Sequence, residues 1–251
     1  MKQIIVNADD FGINEAATSE IKRMIEIGAI SSTTIMANGT SLEEVRRFAP
    51  LHPEASFGVH LCLSEFDSVT KSDGLYNSGI TDENGRFIRM AVFHLNNLKD
   101  SDVQRAICDE LNAQIDIVKS LGIAISHADS HHHVHTIYPL KEVFANVLRN
   151  RGIPKIRLGG SFETLRMKAH IDLWLRRVSL NKFYKNHFIT TNAFLSYADF
   201  INAGCHMKED DTLELMCHPG HPGIDFKNEM VLVENKKALK EAKLISYNEL
   251  F

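Results

Sequence analysis

Residues 127–135 read HADSHHHVH and pack five histidines and one aspartate into nine positions. Three other places carry residues of the same kind: Asp9 and Asp10 in NADD, His60 in GVH, and His218 and His221 in MCHPGHPG. In an extended segment alternate side chains share a face, so His127, Asp129, His131, His133 and His135 are expected to point one way. Imidazoles crowded on one face repel once protonated, and a divalent ion is a common resolution. Two adjacent carboxylates also repel unless a cation sits between them. The plainer readings are a helix-capping turn for Asp9-Asp10 and hydrogen-bonded core histidines for His60 and His218. One carboxylate and two imidazoles with open positions suit a catalytic ion. Zinc is the most natural by ligand type, with magnesium, manganese and cobalt also compatible. Such an ion polarises a carbonyl and lowers the pKa of bound water towards about 7. That leaves a carboxylate to act as general base and a histidine as general acid.

These residues are far apart in sequence, so the fold must bring them together. Strand-length apolar runs alternate with helical patterns along the chain. Candidate strands are 3–8, 30–37, 56–63, 123–129, 155–159 and 213–218, with 188–195 as a further one. Between them lie helical stretches, of which 102–122 is the clearest: Val103, Ile107, Leu111, Ile115, Val118 and Leu121 form one stripe. Strand–helix repetition predicts a parallel sheet covered by helices. This many units in one chain predicts a single-domain, closed or nearly closed β/α barrel of the TIM type. A doubly wound open sheet is the alternative, without its usual dinucleotide fingerprint because no GxGxxG follows the first strand. In a barrel the C-terminal strand ends converge on one face, and the four polar clusters all fall at such ends. The stretch 64–100 is polar and irregular, with a tight turn at Asn84-Gly85. An excursion of that length between a strand and a helix often covers an active site.

The composition narrows the class further. A net charge of −4 gives no pull towards nucleic acid or an anionic membrane surface. The four cysteines lack CxxC spacing, which argues against a cysteine zinc site or a disulfide scaffold. No apolar run approaches the roughly 18 residues of a membrane span. The first residues turn acidic before a signal-peptide core could form, so a cytoplasmic protein is expected.

Four motifs in order, VNADDFG (6–12), GVHLCL (58–63), SHADSHHHVH (126–135) and MCHPG (216–220), resemble those of the YdjC-like carbohydrate deacetylases. SSTT at 31–34 and ISYNEL at 245–250 extend the resemblance over most of the chain. It implies a distorted β/α barrel that hydrolyses an N-acetyl group from an amino sugar and releases acetate. It also implies one divalent ion, magnesium or zinc, held by Asp10, His60 and His131. Asp9 would be the general base, and His218 would protonate the leaving amine. Asp129 and His133 flank the ligand His131 and are expected to orient it, or Asp129 to bond substrate hydroxyls. Arg157 is a candidate for orienting Asp9 or binding the sugar. Tyr76, Phe87 and Trp174 are candidate sugar platforms. One tryptophan is sparse for a polysaccharide binder, which favours a short oligosaccharide or a sugar phosphate. Family precedent allows a homodimer. A phosphoesterase or sugar isomerase on a similar barrel is disfavoured because histidines predominate over carboxylates. A non-catalytic sugar-binding protein is disfavoured because every polar group the chemistry needs is present.

Overall fold

The computed structural model describes residues 2–160, 171–203, 208–236 and 242–251. Six strands form the wall: β1 (Gln3–Phe11), β2 (Ser32–Ile35), β3 (Ser56–Leu61), β4 (Ala128–Ser130), β5 (Ala193–Ser196) and β6 (Thr212–Cys217). All pair in parallel, in the order β4-β3-β2-β1-β6-β5. A short β7 (Lys243–Leu244) pairs with the start of β1. The first strand thus lies between the second and the sixth, as a ring requires. Beyond β4, single parallel bridges join Ala128 to Ile156 and Lys155 to Ile189, and Ile189 leads into β5. The sheet therefore curls as a distorted barrel, not a doubly wound open sheet. The predicted strand 155–159 takes part only through those bridges, and 123–129 narrows to β4 at its end.

The helices follow from their sequences. Helix α1 (Glu15–Glu26) is capped by Asn14, whose Oδ1 accepts from Ala17 N at 2.9 Å. Asp9 and Asp10 are therefore not its caps; both belong to β1. The six-residue α3 (Asp73–Ser78) lies in the 64–100 excursion, after the seven-residue α2 (Leu42–Phe48). Helix α4 (Ser101–Ser120) buries Val103, Ile107, Leu111, Ile115 and Val118 against the sheet, the stripe its sequence predicts. Two polar residues on the same helix are also fully buried, Glu110 and Gln114. Gln114 bonds both backbone groups of Cys62, and Glu110 accepts from the backbone N–H of Val69 and Thr70. A buried carboxylate needs such partners, and here they fix the loop that leaves β3. Helices α5 (Lys141–Asn150), α6 (Ile171–His187), α7 (Tyr197–Ala203) and α8 (Ile224–Glu234) complete the cover. Among the described residues no helix is long and apolar enough to cross a membrane.

Candidate active site and metal centre

The C-terminal end of β1 carries the first two residues. Neighbours on a regular strand point to opposite faces. Here the register against β2 slips between Ala8 and Phe11, and Asp10 takes a left-handed φ of 69°. A bulge of this kind re-aims a side chain. As a result Asp9 and Asp10 both reach the pocket, each less than 3% exposed.

Asp10 is the meeting point of three imidazoles. Its Oδ1 lies 3.2 Å from His60 Nε2 and 3.0 Å from His131 Nδ1. Its Oδ2 lies 2.9 Å from His221 Nε2. Burial raises its pKa, but the bonds to His131, His221 and His60 prevail and hold it well below the usual carboxylate range. His60 stands at the end of β3 between two carboxylates, with Asp129 Oδ1 2.6 Å from its Nδ1. The expected partner of Asp129 was His131. The structure gives it His60 instead, because β3 and β4 pair in register at His60 and Asp129.

Asp9 faces another way. Arg157 donates to both its oxygens, Nη1 to Oδ2 at 2.7 Å and Nη2 to Oδ1 at 2.6 Å, and Asn7 Nδ2 donates to Oδ1 at 2.9 Å. Burial raises the Asp9 pKa, but the guanidinium outweighs it and keeps the group ionised. Arg157 is itself 0% exposed. It also pairs with Asp129 Oδ2 at 2.8 Å and donates from Nε to Glu214 Oε1 at 2.7 Å. Tyr247 donates its hydroxyl to the other oxygen of Glu214 at 2.6 Å and stacks on His127, centroids 3.7 Å apart. Burial pushes Glu214 up to about 7 despite these partners. Sequence reasoning missed Glu214, whose LELMC strand reads as apolar, and Tyr247, which lies in a short C-terminal motif without chemical spacing.

The histidine run does not stay extended. After β4 the chain turns, and His132 and His133 both adopt left-handed backbone, φ 51° and 56°. The five side chains therefore do not share a face. His127 is buried beneath the site, bonded to Asn7 Oδ1 at 3.1 Å. His131 joins Asp10. His133 does not flank His131 as expected; its ring packs edge-on to Phe194, centroids 5.6 Å apart. Phe194 in turn lies 4.7 Å from the Arg157 guanidinium. His133 has a pKa lowered to about 3 by burial first and then by Arg157, so it is neutral. His218, after β6, is half-buried, with its backbone N–H donating to Glu229 at 3.0 Å. Burial depresses its pKa, and the charges of Asp9 and Asp10 only partly oppose that. Gly220, at φ 78°, lets this loop lie on α1: a Cβ there would come within 2.8 Å of Ala16 and Ala17 backbone.

Of the aromatic candidates, Phe87 is 3% exposed and presents no face to a sugar, whereas Tyr76 is 51% exposed. The side chain of Trp174 lies outside the described residues. From the 64–100 excursion a further residue enters the pocket. Glu65 Oε2 lies 3.3 Å from His131 Nε2 and 3.8 Å from His132 Nε2.

Among the described residues, three groupings have donor atoms close enough to share an ion: Asp10, His60 and His131; Asp9, His60 and Asp129; and Glu65, His131 and His132. In the first, the nitrogens lie 3.0 and 3.2 Å from the carboxylate oxygen. Ligands bound at about 2.1 Å and near-tetrahedral or octahedral angles lie roughly 3.0–3.4 Å apart. Asp9, Asp129 and Glu214 surround one buried guanidinium, and Asp10 is a further buried carboxylate beside them, so carboxylates outnumber fixed cations in the pocket, as a divalent ion requires.

Comparison with known proteins gives the chain's relatives. The family described as YdjC-like protein matches residues 3–249. A carbohydrate deacetylase of Geobacillus stearothermophilus is 30% identical over 223 residues, which cover 86% of this chain and 79% of that protein. A carbohydrate deacetylase of Listeria monocytogenes serotype 4a is 28% identical over 249 residues, 99% of this chain and 93% of that one. Among solved structures, an Enterococcus faecalis protein described as a cellobiose-phosphate cleavage protein superposes with a TM-score of 0.74. It is 23% identical, and the match covers 99% of this chain and 98% of that one. At that identity the likeness speaks for the fold.

Proposed function

The chain belongs to the YdjC-like protein family, and from that premise we propose that it is a metal-dependent deacetylase of N-acetylated amino sugars or their short oligosaccharides, releasing acetate. The observation that carries the reading is the convergence of Asp10, His60 and His131 beside an Asp9 that is clamped for another task. Asp10, His60 and His131 would hold the ion; none of their facing donor atoms is bonded to the guanidinium that holds Asp9 and Asp129. When bound, a divalent ion supplies Lewis acidity at the acetyl carbonyl and acidifies the attacking water.

The chain's own residues account for the proton transfers. Asp9 is the general base. Its Oδ1 already accepts two hydrogen bonds, from Asn7 and Arg157, but Oδ2 accepts one and keeps a lone pair for the proton. Because Asp9 is ionised at neutral pH, its resting form is the accepting form. Asp129 fixes the His60 tautomer, and Arg157 fixes the Asp9 carboxylate. His218 stands on the neighbouring strand end, where it would protonate the leaving amine. It rests neutral, so it must take up a proton before the amine departs.

The test is acetate release from N,N′-diacetylchitobiose and its 6-phosphate by protein stripped of metal and re-supplied with zinc, magnesium, manganese or cobalt. The Asp9→Asn variant is assayed beside it. The expected result is metal-dependent release, falling about 10²–10⁴-fold in the variant while metal content stays unchanged. Metal-independent acetate release, or a fully active variant, would overturn the assignment.

A further inference from the structure

Both imidazoles that face Asp10 Oδ1 have a carboxylate on their other nitrogen. For His60 it is Asp129, buried and 2.6 Å away. For His131 it is Glu65. Its Oε2 lies 3.3 Å from Nε2, while Nδ1 of the same ring faces Asp10 Oδ1 at 3.0 Å. A histidine that ligates a metal through one nitrogen commonly gives the N–H of the other to a carboxylate, which sets the tautomer and the ring plane.

We propose that Glu65 is the positioning residue of His131. It accepts the Nε2–H, which leaves Nδ1 unprotonated and aimed at Asp10. This rests on the reading of Asp10, His60 and His131 as the metal centre.

The surroundings of Glu65 suit the role. The loop that carries it is tied to α4 on both sides, through Gln114 at Cys62 and Glu110 at Val69 and Thr70. Phe87 N–H donates to Phe66 O and Met90 N–H to Ser64 O, so the far arm of the excursion braces the near one. Arg89 Nε lies 3.5 Å from Oε1 of Glu65, the oxygen that does not face His131. The 64–100 excursion therefore has a task beyond cover: it delivers the carboxylate that orients one ligand.

Glu65 also lies near His132, and the two with His131 form a grouping that could take an ion of its own. That arrangement is chemically harder. An ion on His131 Nε2 together with one on Nδ1 requires the ring to lose both protons.

The experiment measures zinc affinity and stoichiometry by competition with a chromophoric chelator. The proteins are wild type, Glu65→Ala, Glu65→Gln and, as a control at the exposed turn, Glu83→Gln. Long-range ¹H–¹⁵N spectra follow the His131 tautomer. One ion per wild-type chain is expected. Affinity should fall about 10–100-fold in Glu65→Ala. It should fall less in Glu65→Gln, whose amide oxygen still accepts a hydrogen bond, and not at all in the control. The His131 Nε2–H signal of the zinc-bound wild type should weaken in Glu65→Ala while the far-ultraviolet spectrum is unchanged. An Ala variant within twofold of wild type would overturn the role. So would two ions in wild type with one lost in the variant, since Glu65 would then be a ligand of the second ion. If wild type binds no metal, the metal centre and this inference fall together.

Discussion

Replacing Arg157 with Gln tests the electrostatic frame of the site apart from catalysis. The guanidinium is wholly buried and its N–H groups serve Asp9, Asp129 and Glu214 at 2.6–2.8 Å. Removing one partner of a buried pair costs about 3–5 kcal/mol. For a chain of this size each kcal/mol moves Tm by about 2–4 °C, so a fall of roughly 6–20 °C is expected. The pH dependence carries a second signature. In the native protein the folded pKa of Asp9 lies below its unfolded value. Its stabilising contribution is present above the unfolded pKa and is lost only as pH falls through the folded one, far below 5.5. Without Arg157, only Asn7, His60 and His218 oppose the effect of burial on Asp9, so its folded pKa rises, and Glu214, already at about 7, moves the same way. Groups with raised folded pKa bind protons on folding, so their variant gains stability as pH falls. Thermal unfolding followed by circular dichroism at pH 7.5 and 5.5, with chelator present in both proteins, gives the difference in Tm at each pH. The gap should narrow on acidification. A change of less than about 2 °C, or a gap that widens at pH 5.5, would refute this account of the pocket.

Tyr247→Phe removes a hydroxyl and leaves Glu214 Oε2 buried without its donor. A loss of about 1–3 kcal/mol is expected, read as a lower midpoint in urea with an unchanged slope; an unmoved midpoint would show that water replaces the hydroxyl. Gly220→Ala places a methyl against Ala16 and Ala17 backbone at a φ of 78°, and neither contact can swing away. Stability should fall by more than about 1 kcal/mol, and acetate release should fall with it because His218 and His221 share that loop. Full activity in this variant would show that the loop adapts.

How much was legible in the sequence depends on whether a residue's task is local or spatial. The α4 stripe and the parallel β/α order followed from periodicity, because burial imposes a repeat of 3.6 on a helix and alternation on a strand. The strand-end positions of Asp9, Asp10, His60 and His218 followed from the same reading. The run 127–135 was misread in detail. Alternation presumes extended backbone, and two consecutive left-handed histidines break it. The residue types signal that only faintly, since positive φ is routine for glycine but uncommon for histidine even though histidine is enriched there. Glu214, Tyr247 and Glu65 were not singled out because their significance lies in partners far away in sequence. Arg157 to Glu214 spans 57 residues and Glu65 to His131 spans 66.

The division of labour between Asp9 and Asp10 shows why the pair is not interchangeable, although both are buried and both ionised. Asp10 is held by imidazoles, whose nitrogens can take a metal ion in place of a proton. Asp9 is held by a guanidinium, which cannot. An ion placed among Asp9, His60 and Asp129 would share carboxylates with the buried guanidinium of Arg157 and lie against a like charge. An ion at Asp10, His60 and His131 displaces only protons. The bulge at Asp10 makes this partition possible, because on a regular strand the second carboxylate would point away from the pocket. It follows that swapping the two environments, not the two residues, would be needed to exchange their roles. By the same reasoning, Asp10→Asn should abolish zinc binding while leaving Asp9 on Arg157, whereas Asp9→Asn should leave zinc in place.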